Sequence, residues 1–514
     1  MEQLNEKKAN NKDKYISIAQ KILLLIFGIY IIVFQYRHTL WLDELDWGIG
    51  IVDGRNLAEI YITVLRTGEN LPLFYIVLYF ARLIFGNSQI GLIFCTSIIF
   101  SFVGIIGLLK IARKFLSRRI EIIATVFIIT SYAIIAHTCW QLRPYGMLFC
   151  FSTWSLYFYL KRLEQESWKN ILKYGVCMIF LLYSHWFGSL IGLCYAFIDL
   201  ILFFKKRVKM KCIVSYLICG GAFLPSFIIL LVLHAGDVAD YGINPPTLWA
   251  VYKAFRFIMG YADINVIIFL LGTVFLIINS FKKKNDIYLN VIIYSMTMLL
   301  VAIIFYSKFI NPAGSIIRDR YFITILPHAI LVMACIVDRI FKMFSNKNIL
   351  DVVVFITVIL LAYMIATTYI LSYLAPNSTG NVLYKERVDY LSKQEDIYSD
   401  DTLIICTFGR AWVKYYFTDR GIELPKNVIV IDPLKYPNTK HMSEVEWEEF
   451  EYCVKDGKMV QNLPVEDVTE YDTIYYMETY RVFLEEMYKE LDEIYKVQKT
   501  IEEERLIKLE KNIN

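Results

Sequence analysis

The sequence predicts an α-helical polytopic membrane protein of about eleven spans plus interfacial helices, followed by a soluble α/β domain. Three observations predict it. Of the 514 residues, 57% are hydrophobic and only 20% charged, whereas soluble domains carry roughly a quarter charged residues, so a purely soluble enzyme is excluded. Apolar runs of membrane-spanning length recur up to residue 375 and then cease. The charge divides at the same place: residues 1–375 hold 35 basic against 20 acidic residues, a net +15, and residues 376–514 hold 18 against 29, a net −11. The expected domains are therefore 1–375 in the membrane and 376–514 outside it.

Measured against the roughly 20 residues a span requires, the apolar runs are 16–35, 90–111, 120–136, 145–160, 171–183, 189–204, 212–233, 264–280, 287–306, 321–341 and 349–369. The run 71–85 is short, begins near Pro72 and contains Arg82. Parity assigns it. The basic clusters are Lys7/Lys8/Lys12/Lys14, 110–119, Lys161/Arg162 to Lys173, 205–211, 282–284 and 342–347. All six fall on the cytoplasmic side if 71–85 lies flat in the outer interface, as the positive-inside rule requires. The expected topology is a multi-pass protein of the cell membrane with a cytoplasmic N-terminus and an extracytoplasmic tail. The first span lacks an A-x-A-like cleavage site and reads as an uncleaved anchor. Because the basic residues sit between apolar runs, they do not suggest nucleic-acid binding.

The tail alternates short β-type runs at 402–407, 427–431 and 472–477 with a helix-like 410–417 and a capping-box pattern, Ser443-x-x-Glu446, over 443–455. Residues 485–511 read as a charged, solvated helix. The tail has no Gly-rich phosphate loop, nucleophile elbow or His cluster, so it reads as a structural or acceptor-recognising domain. Eight of the ten cysteines lie in or beside apolar runs and behave as small hydrophobes. Cys406 and Cys453 in the tail form a disulfide only if the fold brings them together.

Under this topology the chemistry belongs to the outer segments. Directly after the first span comes Tyr36-Arg-His-Thr-Leu-Trp-Leu-Asp-Glu-Leu-Asp-Trp47, which sets Asp43, Glu44 and Asp46 at the membrane boundary. Adjacent carboxylates near a low-dielectric boundary are costly to ionise without a cation or hydroxyl partner, so one is a candidate base. Acids that merely solvate a wet loop are the bland alternative. Other polar residues at outer span ends, Arg143, His185 and Arg320 among them, also fit as headgroup anchors or interhelical hydrogen-bonding groups.

Taken in order, Trp41-Leu-Asp-Glu44, Asn70-Leu-Pro-Leu-Phe-Tyr75, Phe85-Gly-Asn-Ser88, Gln141-Leu-Arg-Pro-Tyr145, Tyr183-Ser-His-Trp-Phe-Gly188, and Arg320-Tyr-Phe322 with Pro327 form a pattern. It resembles the protein O-mannosyltransferase and aminoarabinose-transferase-like group of GT-C integral-membrane glycosyltransferases, over about residues 16–341. The resemblance implies transfer of a sugar from a polyprenyl-phosphate carrier to an acceptor on the non-cytoplasmic side, with no nucleotide sugar and no cofactor. It implies Asp43 as general base with Glu44 as its neighbour, Arg143 and Tyr145 as an external Arg-x-Tyr motif, His185 at the outer end of a span, and Arg320-Tyr321 near the lipid phosphate. Asn70 stands where the group commonly has His or Lys, which leaves Arg318, Arg320 or Lys308 to supply the missing charge.

Neighbouring carboxylates cannot flank a sugar as a separated nucleophile and acid do, so direct displacement with inversion is expected. No His/Asp cluster in the outer loops argues for a metal. The expected partners are the lipid-linked donor, membrane lipids and a lipid, glycan or protein acceptor. The competing class is a transporter or lipid-linked-sugar flippase, whose mark is repeated halves with broken helices meeting at mid-membrane; no such repeat is visible. A phosphoethanolamine-type transferase would need a nucleophilic Thr and a metal cluster in the tail, and neither is visible there.

Overall fold

The structure is a computed structural model, and the described residues are 2–68, 70–233, 247–282, 286–310, 317–343, 362–371, 384–407, 412–431, 453–460, 465–478, 491, 494–501 and 506–512. It is helical up to residue 371, with a β-sheet domain after residue 400. The chain forms two compact units, one of Met1–Arg37, Val64–Val77 and Ile93–Pro376, the other of His38–Thr63, Leu78–Leu92 and Asn377–Asn514.

In the first unit the long apolar helices start where the sequence supplies caps. Ser117, Ser167 and Asp286 each accept a hydrogen bond from the backbone N–H three residues on, which satisfies one donor of a first turn that has no intrahelical partner. Among the described residues, six helices are long and apolar enough to cross a membrane: Lys14–Arg37, Gln89–Leu116, Trp186–Phe204, Met210–Leu233, Asp263–Ser280 and Ile287–Phe309. A seventh span results if the pair Arg118–Ile129 and Ala133–Cys139, bent by 68°, is counted as one. At the break the carbonyl of Thr130 accepts the Thr368 hydroxyl at 2.8 Å, which satisfies a buried backbone acceptor where the helix is interrupted.

The expected count of eleven thus differs from the six or seven that length and composition support. Three more expected spans are helices, Tyr145–Glu164, Trp168–Ser184 and Leu326–Met343. They are shorter or more polar, because they bury groups such as Ser152, Thr153, Ser155, Asn170, His328 and Asp338. The eleventh, 349–369, lies mostly outside the described residues. Pro72–Phe85 is a 14-residue helix; at 1.5 Å per residue it covers about 21 Å, short of the roughly 30 Å hydrocarbon core. An amphipathic helix not foreseen in the sequence, Leu57–Thr67, precedes it.

One expectation about charge is corrected. Arg162, grouped with Lys161 as a basic topology signal, is buried with its side chain 1% exposed and paired with the fully buried Asp199. The guanidinium lies 4.4 Å and 4.1 Å from the ring centroids of Tyr159 and Tyr174. Asp199 also accepts hydrogen bonds from the hydroxyls of Tyr159 at 2.7 Å and Tyr216 at 3.0 Å. A charge enclosed by a carboxylate and aromatic faces contributes to packing and is no marker of the aqueous side.

In the second unit the tail builds a seven-stranded sheet from its described residues: β1 (Thr402–Thr407), β2 (Val428–Ile431), β3 (Cys453–Lys455), β4 (Lys458–Val460), β5 (Thr473–Glu478), β6 (Tyr495–Ile501) and β7 (Leu506–Lys511), in the order β4-β3-β2-β1-β5-β7-β6. The central strand β1 pairs in parallel with β2 and β5, and the outer pairings are antiparallel. Leu403, Ile405, Ile474, Tyr476, Ile507 and Leu509 form the core on one sheet face, following the strand alternation. The three expected strands are present. Over 495–501 and 506–511 the expected charged helix is wrong: β6 and β7 pair there as antiparallel strands, with the apolar Leu506, Ile507 and Leu509 interleaved among the charges of β7; the rest of 485–511 lies mostly outside the described residues. The 443–455 element ends in β3, and its Ser443-x-x-Glu446 start lies outside the described residues. Cys406 and Cys453 sit on β1 and β3 with β2 between them. Two strand steps are about 9.5 Å, beyond the Cα separation of a disulfide, so the pairing is excluded.

Candidate functional site

The candidate residues fall in two clusters, one in each unit. In the second unit, the chain runs without regular structure from His38 to Trp41 and then turns into helix at Leu42–Glu44, which widens into a π-turn at Leu45–Ile49. The Trp41 carbonyl starts this turn by accepting the backbone N–H groups of Glu44 at 2.9 Å and Leu45 at 3.0 Å. π-turns recur at functional sites because they re-aim side chains at a cost in helix stability. Glu44 is fully buried, its two carboxylate oxygens each 2.8 Å from Nε2 of the equally buried His38. The Trp41 backbone N–H donates to Glu44 Oε2 at 3.1 Å. Asp43, one residue earlier, is half-buried, and Asp46 is buried. Of the adjacent acids, Glu44 is bound inside its own loop, and Asp43 is the less buried residue.

His38 lies within the acidic motif, and the motif alone assigns it no role. Its signal was its place six residues before Glu44 in a chain with only six histidines. Farther along the same unit, Asp53 pairs with Arg82 at 3.0 Å and with Lys414. Burial works against the Asp53 carboxylate, but the Lys414 hydrogen bond and the Arg82 and Lys414 charges together hold its pKa below the ordinary value.

The first unit holds a cluster of cations and rings. Arg143 is buried on the irregular stretch between the π-turn Ala133–Cys139 and the helix Tyr145–Glu164. That helix starts in close contact with its neighbours: a Cβ on Gly146 would lie 2.8 Å from the carbonyl oxygens of Ser97 and Thr138. His185 joins the helices Trp168–Ser184 and Trp186–Phe204 and caps the second, its Nδ1 accepting the Phe187 N–H at 3.3 Å. The glycine of the same motif is required sterically, since a Cβ at Gly188 would lie 2.2 Å from the Leu181 carbonyl oxygen.

Around His185 stand Tyr145 at 5.8 Å, Phe187 at 5.2 Å and Tyr321 at 6.4 Å between ring centroids. The Arg320 guanidinium lies 5.4 Å from the Tyr321 ring. Burial, then the charges of Arg143 and Arg320, push the His185 pKa down to about 3, so the imidazole is neutral at physiological pH. Its Nδ1 acceptor role agrees with that state.

Asn70 is buried and donates to the Tyr75 hydroxyl at 3.5 Å. Its loop is tied to the His185 junction by the Trp186 indole N–H, which donates to the Gly68 carbonyl at 3.0 Å. Arg318 is half-buried at the start of the 3₁₀ turn Asp319–Thr324, which carries Arg320 and Tyr321. The structure therefore gathers Arg143, Tyr145, His185, Arg320 and Tyr321, with Asn70 on an adjoining loop. His137, which the sequence reasoning passed over, joins them with its ring 6.4 Å from that of Tyr145. Two guanidinium groups beside a neutral imidazole and phenol rings suit an anion with an attached polar group. Among the described residues no group of three or more His, Cys, Asp or Glu could hold a metal ion.

No protein-family model matches the chain, and no curated protein matches it in sequence. Its structure is similar to a crystal structure of ArnT from Cupriavidus metallidurans bound to undecaprenyl phosphate, with a TM-score of 0.56 and 10% identity over 96% of this chain and 98% of that one. It is also similar to the apo structure of the same ArnT, with a TM-score of 0.54 and 11% identity over 97% of this chain and 98% of that one. The chain has the ArnT fold, a multi-pass helical membrane protein with a soluble domain at its C-terminus.

Proposed function

We propose that the protein is a GT-C glycosyltransferase that moves a sugar from a polyprenyl-phosphate donor to an acceptor hydroxyl on the extracytoplasmic face, with inversion. The observation that carries this reading is the convergence of Arg143, Tyr145, Arg320 and Tyr321 on His185, from three distant stretches of sequence, on a fold shared with an ArnT crystallised with undecaprenyl phosphate. That likeness also weighs against the transporter reading. In the proposed reaction the bond between sugar C1 and a phosphate oxygen breaks, the acceptor oxygen bonds to C1, and the acceptor proton goes to Asp43. The polyprenyl phosphate leaves with the electron pair. Arg143 and Arg320, supported by Arg318, stabilise the charge on that phosphate, while neutral His185 and Asn70 offer hydrogen bonds and Tyr145 and Tyr321 line the site.

The test is transfer by the full-length protein in lipid nanodiscs from radiolabelled polyprenyl-phosphate sugars, with the sugar and acceptor chosen by comparing lipid-linked sugars and envelope glycans in cells with and without the gene. Transfer with release of the carrier is expected. At limiting donor, Arg143→Lys, which keeps charge but loses the planar fork, and Arg320→Ala are each expected to lower the rate by about 10-fold or more. Wild-type rates in both would remove the phosphate role. The outward tail is part of the proposal: a reporter active only outside the cytoplasm, fused after Asn514, is expected to be active, and activity of a cytoplasm-only reporter there would reverse the topology.

A further inference from the structure

The acidic turn is held from outside its own loop. The Leu40–Trp41 peptide is gripped at both ends: its N–H donates to Glu44 Oε2 at 3.1 Å, and its carbonyl accepts the hydroxyl of Tyr416 at 3.1 Å. Tyr416 belongs to the tail, 376 residues away in sequence. It is 1% exposed, and burial raises its pKa well above the ordinary value, so the phenol remains a donor. The neighbouring Tyr415 donates to the Asn87 carbonyl at 3.2 Å, and Lys414 pairs with Asp53 at the far end of the acidic loop. Gln89 of the adjoining segment donates to the His38 carbonyl. Three consecutive tail residues on one turn, Lys414–Thr418, thus reach three separate points of the N-terminal segments in their own unit.

We propose that Tyr416 and Lys414 are positioning residues for the transfer reaction: Tyr416 fixes the Asp43–Glu44 turn through the Leu40–Trp41 peptide, and Lys414 anchors the same tail turn to Asp53. This rests on the proposed function for the identity of the reaction, and assigns the soluble domain the task of orienting the carboxylate that accepts the proton. Small misplacements of a general base are costly because the reacting atoms must be aligned before proton transfer.

The test uses the full-length protein in lipid nanodiscs. Tyr416→Phe deletes one hydroxyl, and Lys414→Met deletes one charge on a side chain that is partly exposed. Each is expected to lower kcat by about 10-fold or more, with the donor KM within about twofold of wild type and the thermal midpoint unchanged, whereas Lys414→Arg keeps the ion pair and restores kcat. Hydrogen exchange supplies a second reading: backbone amides of residues 41–49 are expected to exchange about 10-fold faster in both variants. Wild-type kcat in both variants of an active protein overturns the proposal, as does a loss of kcat that only follows loss of folded protein. If Tyr416→Phe does not fold, Lys414→Met decides. A wild type that transfers no sugar defeats the functional reading alone, and unchanged exchange in the variants would then still defeat the positioning.

Discussion

Asp43→Asn is expected to lower sugar transfer by about 10²–10⁴-fold, the usual range for losing a general base, while donor binding survives. The substitution keeps shape and hydrogen bonding but cannot take up the acceptor proton. The Glu44 carboxylate is buried and occupied by His38 Nε2 and the Trp41 N–H, so a substrate hydroxyl would have to displace these partners to reach it. Asp43 is the less buried of the pair. Glu44→Gln can still accept the Trp41 N–H through its amide oxygen and is expected to be milder, acting through the shape of the turn. The measurement is turnover of purified variants at saturating donor, with expression matched and donor binding measured separately. Near-normal turnover by Asp43→Asn would exclude it and move the search to Asp46, then to Asp237, Asp240 and Asp263.

Much of the fold was legible because span length and strand alternation are local signals. The apolar runs became helices where described, and 402–407 became β1 at the expected residues. Misreadings arose where a distant partner decides. Residues 495–511 look like part of a solvated helix until Ile507 and Leu509 are seen packing in the sheet core. Arg162 looks like a loop charge until Asp199, 37 residues away, is seen to pair with it. In the candidate site, the ordered motifs name Arg143, Tyr145, His185 and Arg320, and these side chains lie near one another in the first unit. His38 and Tyr416 are not legible in the sequence because each meets its partner, the Glu44 carboxylate or the Leu40 carbonyl, only in the folded chain.

The buried Arg162–Asp199 pair leads to the second large effect. Removing one partner of such a pair leaves an uncompensated charge, so Arg162→Met alone is expected to destabilise the protein by about 3–5 kcal/mol. Asp199 would keep the Tyr159 and Tyr216 hydroxyls but lose its counter-charge. Combining Arg162→Met with Asp199→Asn removes both charges and leaves one amide oxygen to accept from one tyrosine hydroxyl and an amide N–H to donate to the oxygen of the other, so the double variant is expected to recover more than half of the loss. Denaturation of purified variants in mixed micelles, analysed as a double-mutant cycle, measures the coupling; a single variant as stable as wild type would show that the pair contributes nothing. Arg162 lies near the end of the helix that begins with Tyr145, and Asp199 lies on the helix that begins just after His185. Each is about 20–26 Å along its helix from the candidate site, at 1.5 Å per residue. The pair therefore fastens together the far ends of the two helices whose near ends set the Tyr145 and His185 rings 5.8 Å apart. In any folded fraction of Arg162→Met, donor KM is expected to rise along with the loss of stability, and the double variant is expected to restore both together.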